Sequence, residues 1–408
     1  MQNDANVRTG TPAVRRFAVR LTLVYGAVFG LLGISLPFFP VWLKARGIDV
    51  GWIGLITALP SLTRFTVLPL ITAFAERHQV LRQAITWLAF LTAIGHFALG
   101  LFATPLPILL IFALTACAWT PIMPMVDGYV LKGVARYDLD YGPLRLWGSV
   151  AFVAGALAGG VYVDRVAPGH LIWVIVAMAL LGALASLGLQ PIEDRAAHTE
   201  AVHRGAAVLL RRPGFLAIIF ASALVQGSHA AYYAFGSVAW QAAGLGGVTI
   251  SCLWSLGVVA EIVVFAVSPR FTWPPRLLVA VAATCAAMRW VLTAQQPSIG
   301  VLAAVQMMHG LSYGLTQVGI VGLMLRNVPS HVAATAQGYL AAAGGIVLGA
   351  ATMASGVLFR GHGEGMYYPM AAMALLGAGL ILVAGPWLVS DDETQEQEAQ
   401  PQSDASGG

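Results

Sequence analysis

Charge is what this sequence has least of. Only 10% of its 408 residues are Asp, Glu, Lys or Arg, while 58% are hydrophobic and the mean hydropathy is +0.77. A soluble chain carries roughly a quarter charged residues. So few polar groups cannot clothe a water-facing surface, and a lipid solvent is the one that fits. Cysteine is scarce too: Cys117, Cys252 and Cys285 lie in apolar runs with no C-x-x-C spacing. That excludes a disulfide framework and a thiolate metal centre. A nucleophile elbow, a clustered His/Asp/Glu metal set and a sizeable aqueous domain are also missing, and the longest interior polar stretch is about 24 residues. These absences argue against a membrane-embedded enzyme or sensor, and no cofactor or metal is expected. The net charge of +4 does not point to nucleic acid, because the basic residues are scattered through short loops.

What is present is a succession of long apolar runs. A span needs roughly 20 mostly apolar residues to cross about 30 Å of hydrocarbon. The runs predict spans at 17–43, 51–74, 82–102, 106–131, 143–163 and 169–189, then at 214–242, 248–268, 276–294, 298–325, 332–358 and 365–389. The first run is too long for a signal-peptide core and reads as a retained span. The expected organisation is an N-terminal tail (1–16), a six-helix bundle (17–189), a polar central loop (190–213), a second six-helix bundle (214–389) and an acidic disordered tail (390–408). With an inward N-terminus, sixteen Lys and Arg fall on the inner side and four on the outer. This bias predicts an even number of spans with both termini cytoplasmic, in a bacterial-type inner membrane. Gly148, Gly155 and Gly159 in the fifth span share their spacing with Gly338, Gly345 and Gly349 in the eleventh. The match supports two repeated halves with a site at mid-membrane.

Against this background, ionisable residues inside spans stand out, since each costs roughly 2.5–3.5 kcal/mol at the bilayer centre even on a lenient scale. The sequence places Arg64 in span 2, His96 in span 3, Asp127 low in span 4 and His229 in span 7. Glu261 lies in span 8, Arg289 in span 9 and His309 in span 10. One reading is a structural ion-pair network. The other is a solute and proton site whose pairs break and re-form as a cavity alternates. Aligning Ile53 with Ile250 sets Arg64 and Glu261 at matching depths, each eleven residues further on. Pseudosymmetry then predicts opposite charges on facing walls of one cavity.

Several stretches carry a resemblance: GISLPFFPVWLKARG (33–47), LPSLTRF (59–65), YGPLRLWGS (141–149), LWSLGVVAEIVVF (253–265) and QMMHGLSYG (306–314). The whole chain resembles the major facilitator superfamily, and within it the phenylpropionate permease group related to lactose permease. The resemblance implies an all-α membrane fold of twelve helices in two pseudo-symmetric bundles. In lactose permease an acid ending span 4 pairs with an arginine opening span 5, and Asp127 and Arg145 match that interval of 18 residues. Glu261, Arg289 and His309 match that protein's glutamate, arginine and histidine in spans 8, 9 and 10. Its proton-carrying glutamate, one turn beyond the histidine, is replaced here by Ser312. Glu261 is then the first candidate for the proton, since a carboxylate withdrawn from water favours its neutral form. His309 is the second.

The loop TAFAERHQVLR (72–82) resembles the superfamily's gating motif through Glu76, Arg77 and Arg82, with Thr72 and Gln79 where glycines are usual. Pro37 and Pro40 are expected to bend span 1. Phe38, Phe39, Trp42, Tyr232, Tyr233, Trp240 and Trp254 could stack a ring, and Gln226, His229, Gln306 and Gln317 could line a cavity. Arg64, Arg145 and Arg289 beside aromatics suit a small aromatic carboxylate, gripped by a guanidinium fork and by stacking. The expectation is a monomeric proton-coupled symporter whose partners are the solute, protons and the bilayer. A sugar- or nucleoside-like solute, or export of a drug or metabolite, stays open as the alternative.

Overall fold

A computed structural model describes residues 12–137, 141–191, 208–329 and 332–388, and no strand occurs among them. The chain forms helices α1 (Pro12–Ala45), α2 (Val50–Arg77), α3 (Leu81–Gly100), α4 (Pro105–Trp119), α5 (Ile122–Tyr137), α6 (Tyr141–Arg165) and α7 (Leu171–Ser186). They are followed by α8 (Pro213–Gly227), α9 (Ala230–Ala242), α10 (Gly247–Val267), α11 (Pro275–Ala294), α12 (Ile299–His309) and α13 (Leu315–Asn327). The last two are α14 (Ala333–His362) and α15 (Tyr367–Val383). Ten helical runs among the described residues are long and apolar enough to cross a membrane. One of them, Thr335–Val383, is two passes joined by a turn at Gly363–Met366. Counting α12–α13 as a further pass agrees with the expected twelve.

Among the described residues, three passes are interrupted. Thr120 and Pro121 separate α4 from α5, and Ser228 and His229 separate α8 from α9. A π-helical segment, Gly310–Gly314, joins α12 to α13. Interrupted membrane helices leave backbone groups to be satisfied locally and occur where a ligand or ion is handled. α1, by contrast, stays helical through both Pro37 and Pro40.

Two compact units are present. The first holds residues up to 197 together with 229–258 and 348–366. Within it α1 lies along α6 at very short range. A Cβ on Gly33 would stand 2.1 Å from the Phe152 carbonyl oxygen, and one on Gly155 would stand 2.4 Å from that of Gly30. In the eleventh span a Cβ on Gly349 would meet Leu62 at 3.0 Å, as one on its counterpart Gly159 would meet Phe38 at 3.0 Å, whereas Gly148 faces the Phe29 ring and its counterpart Gly338 has nothing within 4 Å. On the side that the charge bias assigns to the outside, Asp164 accepts hydrogen bonds from the Gly247 and Val248 amides that open α10, at 2.5 and 2.9 Å. There too Arg360 of α14 pairs with Asp49, the N-cap of α2.

The second unit holds 198–228, 259–347 and 367–408. Its core is aliphatic, with Ile218, Val279, Ile320 and Ile381 all buried. Large apolar side chains face outward instead of inward elsewhere. Leu114 and Leu325 are 74% and 79% exposed, which only a hydrocarbon solvent stabilises.

Candidate functional site

In the second unit, four residues singled out by sequence, Glu261, Arg289, Gln306 and His309, come together. Arg289 on α11 is fully enclosed, at 0% exposure, and its guanidinium spends two arms on neighbours. Nη1 donates to His309 Nδ1 at 2.9 Å, and Nη2 donates to Gln306 Oε1 at 2.9 Å. The guanidinium also lies 4.5 Å above the Trp290 ring, a cation–π contact worth about 0.5–2 kcal/mol. Trp290 is held in turn by its indole N–H to Ser228 Oγ and by stacking on Tyr367. On the other side of the imidazole, His309 Nε2 stands 3.8 Å from Glu261 Oε2. The His309 ring stacks on Tyr313, with centroids 5.2 Å apart. Glu261 keeps 25% of its side chain exposed, so it is the accessible end of a chain whose other end is sealed.

Two glycines set this geometry. A Cβ on Gly310, the residue after His309, would lie 2.4 Å from the Ala260 carbonyl oxygen. The α10 backbone is thus seated directly on the π segment, one residue before Glu261. Gly314 sits beside Val264 and the Glu261 stem, at 3.4 and 3.6 Å from its virtual Cβ. Ser312, at the position of the missing glutamate, is buried and bonds back to the His309 carbonyl at 3.3 Å. It makes no carboxylate available.

In the first unit the candidates divide. Arg64 is exposed on α2. Asp127 is half-buried and accepts a 2.5 Å hydrogen bond from Tyr25. The side chain of its expected partner, Arg145, lies outside the described residues. Trp254 stacks on Tyr232 at 4.4 Å, Tyr233 stacks on His229 at 5.9 Å, and the Trp254 indole donates to Ser237 Oγ. Phe38 is enclosed between α1 and α6 on Gly159, and Trp42 bonds the Gly169 carbonyl, so both serve packing. His96 is likewise buried, bonded to the Thr92 carbonyl of its own helix.

Among the remaining residues, the Gln226 amide is buried on α8 without a hydrogen-bond partner. Gln317 is half-buried. Glu76 and Arg77 are both exposed, and Arg82 donates to the Leu189 carbonyl at 3.3 Å. Gln79 has φ of 55°, a left-handed conformation that accounts for glycine being usual there. Sequence reasoning missed Tyr25, Ser228, Trp290 and Tyr313. Trp290 adjoins Arg289, and Tyr313 falls one turn after His309, which are the signals that could have found them. Among the described residues no group of three His, Cys, Asp or Glu could hold a metal.

Comparison with known proteins places the chain. A family model described as the MFS_1 like family matches residues 18–370. A probable 3-phenylpropionic acid transporter of Escherichia coli (strain K12) is 32% identical over 362 residues, covering 87% of this chain and 94% of that one. A maltose permease of Geobacillus stearothermophilus is 27% identical over 376 residues, covering 88% and 92%. The crystal structure of the nucleoside transporter NupG superposes with a TM-score of 0.78 at 15% identity, covering 90% of this chain and 98% of that one. A bacterial homologue of the human lysosomal transporter Spinster gives 0.69 at 13% identity, covering 93% and 98%; these two likenesses speak for the fold.

Proposed function

The chain belongs to the MFS_1 like family of multi-pass membrane transporters within the major facilitator superfamily, and from that premise we propose that it is a proton-coupled symporter of a small aromatic carboxylate, acting by alternating access in a bacterial-type inner membrane. The observation that carries the reading is the Glu261–His309–Arg289 chain, an accessible carboxylate backed by an imidazole and a sealed guanidinium. A carboxylate so placed can exchange its proton with water, while the residues behind it stay fixed. The relative named for 3-phenylpropionic acid supports the aromatic acid as solute.

The arginines divide the work. Arg289 is already committed to His309 and Gln306, so the solute's carboxylate falls to the exposed Arg64, with Arg145 as its expected companion. Arginine presents a planar fork that matches a carboxylate, and the match is worth more away from water. Aromatic faces around Tyr313, and separately around Trp254, supply stacking for a ring. One proton per monoanion moves no net charge, so such uptake is driven by the pH difference. A further proton would add about 2.3 kcal/mol per 100 mV of inside-negative potential.

A neutral sugar is the second reading, favoured by the maltose permease relative. The two separate in proteoliposomes by uptake of labelled 3-phenylpropionate competed with unlabelled aromatic acids, maltose and nucleosides. The aromatic-acid reading expects competition by arylalkanoic acids alone. Competition by maltose with indifference to aromatic acids refutes it.

A further inference from the structure

The two hydrogen bonds to the buried guanidinium decide more than its position. A guanidinium nitrogen is a donor only and keeps its protons at any physiological pH. Since Arg289 Nη1 meets His309 Nδ1 at 2.9 Å, that imidazole nitrogen must be the acceptor and carry no proton. The single ring proton then resides on Nε2, the nitrogen that faces Glu261 at 3.8 Å. Adding a second proton at Nδ1 would place N–H against N–H, next to a full positive charge, at a residue only 7% exposed. Ionisable groups around the ring, among the described residues, include the Glu261 carboxylate from α10, the Arg289 guanidinium from α11 and the Tyr313 phenol on its own pass. Glu261 combines partial exposure with the nearby Nε2 of His309.

We propose that Arg289 is a positioning residue that locks His309 as a neutral Nε2–H donor, so that His309 orients Glu261 without itself carrying the transported proton. The inference rests on the proton-coupled reading above and divides the labour within it. The proton exchanged with water is held on the Glu261 carboxyl. When Glu261 is ionised, the Nε2–H of His309 points at its oxygen. When it is protonated, that contact slackens to a neutral pair, and the bonds among Arg289, His309 and Gln306 are undisturbed.

Glutamine tests the lock, because an amide can accept from Arg289 and donate towards Glu261 yet has no basic nitrogen. The pH profile of 3-phenylpropionate uptake is measured in proteoliposomes for the wild type, His309→Gln, Arg289→Gln and the double variant. His309→Gln is expected to slow uptake while leaving the acid-stimulated profile in place. Arg289→Gln frees Nδ1 and is expected to add a second titration step near pH ~6.5, the range of a free imidazole. That step disappears in the double variant. Loss of all pH dependence in His309→Gln overturns the proposal, and so does an unchanged profile in Arg289→Gln. Should the arginine variants fail to fold, ¹⁵N-histidine NMR of the wild type reads the lock without solute. A single proton on Nε2 of His309 supports it, and a doubly protonated ring overturns it. If the wild type does not take up 3-phenylpropionate, the transport reading fails while the NMR result still judges the lock.

Discussion

The cluster around Arg289 and the cluster around Trp254 are built on opposite terms. Around Arg289 the contacts are directional and charge-assisted: two guanidinium bonds at 2.9 Å and an imidazole–carboxylate pair at 3.8 Å, with no exposed surface on the arginine. Around Trp254 the rings of His229, Tyr232, Tyr233 and Trp254 lie against one another, and an indole–hydroxyl bond ties Trp254 to Ser237. The first kind of contact fails when one partner is removed, because a buried charge left alone costs about 3–5 kcal/mol. The second loses area and stacking in proportion to what is cut away.

The difference can be broken at Gly310. Its missing Cβ is what lets α10 rest on the π segment, so Gly310→Ala must move the backbone that carries Glu261. Overpacking of this kind costs about 1–3 kcal/mol. Since the contact is directional, acid-stimulated uptake is expected to fall about tenfold or more, with only a modest drop in thermal stability by fluorescence-monitored unfolding. An equal loss at every pH would show that the seat supports the fold alone.

The aromatic side of the comparison is sharpened by Trp254. Trp254→Phe keeps a stacking face and Trp254→Ala does not. A stacked pair contributes about 0.5–1.5 kcal/mol beyond area, so the alanine variant should raise KM for an aryl acid about three- to tenfold while its pH profile stays put. A shifted profile would show that the Trp254 and Arg289 clusters act as one device.

The smallest expected effect lies outside both clusters, in the turn Gly363–Met366 between α14 and α15. Burial raises Glu364 there to about 7, and its Oε2 has no hydrogen-bond partner. A carboxyl raised on folding is most at home protonated. Its contribution to stability is complete below the ordinary carboxylate range and is lost as pH climbs through about 7. Thermal unfolding of the wild type should weaken slightly from acid to mildly basic pH, and Glu364→Gln should flatten that trend. The variant thereby separates a pH effect on stability from a pH effect on coupling.

Much of this molecule is legible in its sequence because lipid imposes simple rules. Apolar runs of sufficient length mark the passes, and Glu261, Arg289 and His309 are conspicuous as ionisable groups within such runs. Other features are not legible. A π segment leaves no trace in hydrophobic periodicity, since it shifts backbone bonds and not side-chain chemistry; Gly310–Gly314 reads as ordinary helix. Tyr25 and Asp127 are 102 residues apart, and nothing local announces their hydrogen bond. The burial of Arg289 is equally hidden, as are its bonds to His309 and Gln306. Glycine spacing likewise does not say what each glycine meets: Gly148 faces the Phe29 ring, and the matching Gly338 faces open space.

The central claim is that a proton on Glu261 drives the solute. Proteoliposomes with the outside made more acid than the lumen and no membrane potential give the most direct measurement, with labelled 3-phenylpropionate at equal concentration inside and out. Concentrative uptake that collapses with a protonophore and is absent in Glu261→Gln is the predicted result. Accumulation that survives the protonophore, or persists undiminished in Glu261→Gln, contradicts the account.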